Sequence, residues 1–391
     1  MPTTNWLPRA AKVAEVKTGA ITAYDVATTY TMTRNGKTVS TIGTGGSVTT
    51  TAAALIALWN ASTEPDLSEQ TAANVAGSIT LTMDTSGVPS GTCTLTVAGG
   101  TGTVTDFSTT TAATGPWHVD HVNNWSAGAV PTTEDVQVDL ARGSMLYGAF
   151  AAGTLNSLLV FSSGTTQNTI GLPELNAAGY LEDRTKSFAK AATTATFEYD
   201  SPMVRWNYGA VANTSEVRKT GTGQNGVPSL LLAGTSASNV TEVNSGSVGL
   251  AYYADESYAG TILKLTENAS VVQGVNGGTI TTIDSFGALE INGAFTTLNQ
   301  WSGSSVIEGT ATPTVNVYGG TCDYRAGAPT ALYVGNGGII DANNDLTAIT
   351  STATTIARGG TLRDKRRRIT HTSLLRGTDV EELSGGGAGG F

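Results

Sequence analysis

NNWSAGAVPTTEDVQV, residues 123–138, sets an indole and a Gly-Ala-Val-Pro turn just ahead of alternating valines. Val136, Val138 and then Leu140 share one face of a strand, because successive side chains point to opposite sides. Glu134 and Asp135 stay polar. Trp125 is large enough to cover the open end of an apolar stack. A solenoid needs such a cap, since its first coil otherwise exposes a core and a row of unpaired backbone groups. The stretch reads as the opening of a β-solenoid, with Trp125 as the cap.

The region further on carries a repeat. Leu263, Ile280, Leu298, Val315, Leu332 and Ile349 form one column, with successive steps of 17, 18, 17, 17 and 17. Val272, Leu289, Val306, Cys322, Ile339 and Ile356 form a second, with steps of 17, 17, 16, 17 and 17. Gly or Asn falls near the columns in most rows, as in Asn276-Gly277-Gly278, Gly319-Gly320 and Gly337-Gly338. Self-similarity at a fixed period marks a repeat architecture. Each unit is two or three short strands with Gly turns, and one coil cannot bury its own apolar side. Stacking coils at about 4.8 Å sets each Leu, Ile or Val on the next.

Working outward gives the domain plan. Residues 1–17 form an N-terminal arm, whose Trp6 and Leu7 need something to dock on, the same chain or a neighbour. Residues 18–105 read as a small α+β domain of order ββαββ. Asn35-Gly36 makes a hairpin turn. Ser47 caps a helix on which Leu55, Leu58 and Trp59 share a face. Residues 106–116 are a linker and residues 117–362 the solenoid. Within the solenoid, GLPELNAAGYLEDRTKSFAKAATTA breaks the pattern and reads as an excursion from the side of the stack. Residues 363–391 are a basic and Gly-rich tail. The fold class is thus mostly β: a small N-terminal α+β domain followed by a parallel β-solenoid (β-helix) with short rungs of about 17 residues.

Composition narrows the function classes. The chain has 391 residues, 48 of them Gly, with only 13% charged and a net charge of −10. Thr, Ser and Asn take the place of Lys and Glu on exposed faces, which suits β-rich proteins. The acidic balance argues against nucleic acid as the main partner. Cys93 and Cys322 lie far apart and read as two buried free thiols. The N-terminus lacks the charged and apolar regions of a signal peptide, and no apolar run is long enough to span a bilayer. Synthesis in a cytoplasm and release by lysis fit that pattern.

The opening stretch resembles the "NW…G…VP…D-x-V-x-V/I" start of parallel β-helix segments in bacterial surface proteins and bacteriophage virion proteins. The Asn35-Gly36 hairpin followed by the Ala-rich helix is similar to small modules of phage structural proteins. The rungs are short beside the longer coils of pectate-lyase-like helices. The resemblance implies a virion component: a capsid decoration or cement protein, a tail fibre or a tailspike.

Each candidate site has a plain reading beside it. Trp117-His118-Val119-Asp120-His121 is the nearest approach to a metal motif. His121 points away from His118 and Asp120 on a strand, and the only other His is His371. No metal or cofactor is expected. Glu182/Asp183, Glu198/Asp200 and Asp255/Glu256 are acid pairs of the kind glycoside hydrolysis uses, though isolated acids on coil faces usually just face solvent. Tyr252, Tyr253 and Tyr258 are candidates for a glycan groove. Arg363, Lys365, Arg366, Arg367 and Arg368 form a basic run. It reads as a solvated tail or as a clamp on an acidic neighbour. The expected function is a non-enzymatic virion protein attached through arm and tail, trimeric, contacting other copies and virion proteins such as the major capsid protein. A tail fibre or tailspike binding host surface glycans, with or without cleaving them, is the alternative, and a bacterial surface adhesin a further one.

Overall fold

A computed structural model describes the chain except residues 1, 166–167, 176–180, 201–202, 225, 310–311, 345–346, 378–380 and 383–391; side chains are not described for 172–186 or 381–382. The protein is mostly β, a parallel solenoid of about 11 turns following a small N-terminal region.

The N-terminal module is richer in strands than the ββαββ order expected. Val16–Ala23, Gln70–Val75, Ser78–Met83 and Thr103–Thr111 make one antiparallel sheet, and Thr29–Arg34, Lys37–Ile42 and Cys93–Ala98 make another. Half of the expected linker is therefore strand, since 106–111 belongs to the strand that pairs with Val16–Ala23. Asn35 (φ 49°) and Gly36 (φ 85°) both take the left-handed conformation that a tight two-residue hairpin turn requires. The helix Val48–Asn60 starts where Ser47 accepts a bond from the Thr50 amide. Its inward face is Ala52, Leu55 and Trp59, packed on Tyr30, Met32, Ile79 and Leu81. Leu58 does not join that face: it is 46% exposed. Leu55 and Trp59 are one turn apart, whereas Leu58 lies about 100° round the axis from Trp59.

In the solenoid, two parallel sheets run up the stack. The first takes Asp135–Asp139, Leu155–Phe161, Ala192–Glu198 and Thr214–Lys219 in turn. The long strands Val240–Leu250 and Gly260–Gln273 bend through both sheets. Above them the first sheet continues as Ile280–Ser285, Phe295–Gln300, Thr314–Val317, Ala331–Val334, Ile349–Ile356 and Ile369–Arg376. The second continues as Ala288–Ile291, Ser304–Ile307, Gly320–Tyr324, Gly338–Asp341 and Thr361–Arg363.

The first column holds in the middle and slips at its ends, whereas the second changes face along its whole length. Leu298, Val315 and Leu332 are consecutive partners, as the regular step requires. Leu263, however, sits under Ile283, and Ile280 pairs with Phe295. Leu332 is followed by Thr354, while Ile349 meets Ile369. In the second sheet the inward column is Val271, Leu289, Ser305, Cys322 and Ile340. Val272, Val306 and Ile339 are half-buried on the outer side. A one-residue slip exchanges the two faces of a strand, and the turns vary enough to cause it. The step from Leu263 to Ile283 is longer than the regular one, and the step from Ile283 to Leu298 is shorter. Both cysteines are free and buried.

Candidate functional site

The start of the solenoid shows what residues 123–138 do. The buried Asn124 amide meets all its partners: its NH2 donates to the carbonyls of Gly115 and His118, and its oxygen accepts from the amides of Arg9 and Ala10, all at 2.8–2.9 Å. It thereby pins the N-terminal arm. Thr3–Asn5 pairs in parallel with Asp135–Asp139, so the arm supplies the lowest strand of the first sheet. Trp6 is fully buried and stacks edge-to-face on Trp125 at 5.0 Å; Trp125 also contacts Phe150 and donates to the Val119 carbonyl. Leu7 donates its amide to the Asn124 carbonyl. The arm of Trp6 and Leu7 thus docks on its own chain, and the cap is Trp125 together with Trp6. The Glu134 carboxylate accepts from the Thr132 and Thr133 amides, and that of Asp135 from Asn156 and Ser157. Those bonds hold both acids below the ordinary carboxylate range.

The basic run is not a tail. Arg363 ends a solenoid strand and lies 3.7 Å from Asp341 on the rung below. Arg368 is buried, and its guanidinium donates to the carbonyls of Thr347, Ala342 and Arg325 at 2.6–2.8 Å. The buried Asp364 carboxylate accepts from the Arg368 and Ile369 amides. The run is a corner between the strands Thr361–Arg363 and Ile369–Arg376, the second of which lies beyond residue 362. Arg368 satisfies carbonyls that a corner leaves over, which a planar fork of donors does well. Lys365, Arg366 and Arg367 are exposed.

The remaining candidates separate clearly. The buried His118 ring bonds the Gly87 carbonyl and lies 3.7 Å from Asp120, while His121 accepts from the Asn123 amide. Among the described residues no three His, Cys, Asp or Glu side chains gather as metal ligands. Glu198 faces Arg218, and Asp200 faces Lys219 at 2.7 Å. Glu256 pairs with the buried Arg205 at 2.8 Å and accepts from Ser187. The Glu182 and Asp183 side chains lie outside the described residues. Tyr258 is buried with its hydroxyl on Thr241, and burial pushes that hydroxyl up to about 12. Tyr253 lies under the Arg205 guanidinium. The three tyrosines do not make one open groove.

The surface feature that stands out lies two coils higher. Phe286, Trp301 and Tyr318 occupy the same corner of successive rungs, each donating its amide to the rung below. Phe286 and Trp301 stack at 6.2 Å and 16°, Trp301 and Tyr318 at 4.3 Å and 15°. Tyr333 leans in at 5.4 Å. Gly335 holds the next corner position, and a Cβ there would lie 3.3 Å from the Tyr333 ring and 3.1 Å from the Tyr318 backbone. Phe286 is 42% exposed and Trp301 45%. Two residues earlier in each strand, Asn299 donates to Asp284 and Asn316 to Asn299, both at 2.9 Å. Thr282, Thr297 and Thr314 stack two residues before those. The sequence holds this signal, because Phe286, Trp301 and Tyr318 repeat close to the rung spacing. Columns sought among inward aliphatic residues pass it over. No protein-family model matches the chain, and no curated protein matches it.

Proposed function

We propose that the protein is a non-enzymatic structural component of a bacteriophage particle, carried on the capsid surface as a decoration protein. The observation behind this reading is the parallel stack of about 11 turns, closed at its lower end by the chain's own arm. Such a stack is a stiff rod in which most backbone groups are paired, and it resists unfolding outside a cell. The resemblance of the opening stretch to virion β-helices points the same way. With Trp6 folded into the stack, attachment falls to the N-terminal module and to the exposed Lys365-Arg366-Arg367 turn. Other copies, in a trimer, and the major capsid protein are the partners in this reading. Cryo-electron microscopy of the native particle tests it: rods distributed over the shell are expected, and shells without such density would refute it.

A second reading is a tail fibre or tailspike that binds host glycans. The exposed aromatic and amide columns favour it.

A further inference from the structure

We infer that the face built by Phe286, Trp301 and Tyr318 with the Asn and Thr columns beside them binds an extended neutral polysaccharide lying along the solenoid axis. The inference rests on the glycan reading just given and names its site.

An exposed Trp and Phe stacked together form an apolar patch that a soluble surface ordinarily avoids. Stacking turns the facing sides of the three rings toward one another, because the planes lie within 16° of each other. Along the stack the rings therefore present a ridge of edges, with the outer face of Phe286 at its lower end. The floor beside it is flat and polar. Asp284, Asn299 and Asn316 form one line on it, and Thr282, Thr297 and Thr314 the next. Both lines repeat at the strand spacing of about 4.8 Å.

A ridge of hydrocarbon edges beside a floor of amides and hydroxyls suits a chain whose units each carry an apolar C–H face and a rim of hydroxyls. Pyranose units do. The amides offer both donors and acceptors, which is what a neutral hydroxyl rim needs. Asp284 is the one charge in these columns above Lys264, and the chain is acidic as a whole. Nucleic acid and other polyanions are therefore disfavoured. A sugar unit is close to one rung in length, so successive units meet equivalent groups. Contacts repeated along a rigid row add up without ordering the protein, since the row is already formed.

The test is affinity electrophoresis of the full chain in gels containing hydroxyethylcellulose, galactomannan, laminarin or dextran. Sedimentation velocity runs alongside it. Retardation by at least one polymer is expected. Trp301→Ala should reduce the apparent affinity at least tenfold. Thr297→Glu should do the same; it leaves the ring stack alone and sets a charge on the floor. Circular dichroism confirms that both variants keep the fold. Retardation unchanged in both folded variants would place glycan binding elsewhere and overturn this site while leaving the glycan reading. No retardation by any polymer would overturn both. A dimer or trimer of the parent chain that Trp301→Ala alone dissolves would make the ridge a contact between copies, and would also overturn the inference.

Discussion

The lower and upper coils of the solenoid are built differently. Between residues 135 and 260 the steps are long, as from Thr214 to its partner Val240. The interior there includes Trp206, Phe197, Tyr199, Tyr208 and Tyr258. Each of these tyrosine hydroxyls needs a partner and finds one, on Ser229, Ser215 and Thr241 respectively. A buried cation, Arg205, is held by Glu256 and Tyr253. Between residues 280 and 341 the rungs are short, and the interior is chiefly Leu, Ile and Val. Long rungs thus go with aromatic core residues and short rungs with aliphatic ones. Regular rungs have a consequence: identical outward positions fall on one another, so Asn meets Asn and ring meets ring. Outward ladders of this kind belong to the regular half.

That contrast can be broken from either side. The largest effect is expected at the cap. Trp6→Ala removes a buried indole and frees the arm, and a loss of about 3–5 kcal/mol is expected in denaturant unfolding. In the lower coils, Arg205→Met leaves the Glu256 carboxylate without its ion-pair partner. Removing one member of a buried pair costs about 3–5 kcal/mol, while replacing both by apolar residues is often close to neutral. Arg205→Met should therefore destabilise strongly, and Arg205→Met with Glu256→Leu should recover most of the loss. A double variant no more stable than the single one would mean the two charges do not act as a pair. In the upper coils, Leu298→Ala on the inner face should cost about 2–5 kcal/mol. Asn299→Ala, one residue away on the outer face, only interrupts the amide ladder, where a hydrogen bond contributes about 1 kcal/mol. Its fall in melting temperature should be small.

Acid gives the mildest test. Hydrogen bonds hold Glu134 and Asp135 below their ordinary values. Asp139 is also lowered: burial pushes it up, but bonds from Ser163 and Ala141 and the Arg142 charge outweigh that. As pH falls, the unfolded chain takes up protons first. The stability these groups add is complete above the ordinary carboxylate pKa of about 4. It is lost as pH falls toward the lowered folded values. The start of the solenoid should therefore loosen below about pH 4 before the regular rungs do, and Trp fluorescence should follow it. Asp139→Asn should make the acid response shallower.

The regular rungs were legible in sequence where inward residues recur at a constant step, as Leu298, Val315 and Leu332 do, and not in the second sheet, where Ser305 rather than Val306 faces inward. Val315 and Leu332 needed only counting. The lower coils were not, because Thr214 to Val240 and Thr241 to Leu263 have no common period. The cap was half legible. Trp125 announced itself as a lone indole before a strand, but its partner Trp6 lies far back in the chain, with a folded module between. Arg368 misled for a different reason. A run of cations reads as solvated surface, and only the fold shows the carbonyls of Ala342 and Arg325 converging on one of them.

The most direct test of this architecture is amide hydrogen exchange of the intact chain, read peptide by peptide along the stack. The arm strand Thr3–Asn5 should be protected together with its partner Asp135–Asp139, and the regular rungs between Phe295–Gln300 and Ala331–Val334 should exchange slowest of all. Free exchange of the arm while Asp135–Asp139 stays protected would contradict the account, because the arm would then not close the solenoid.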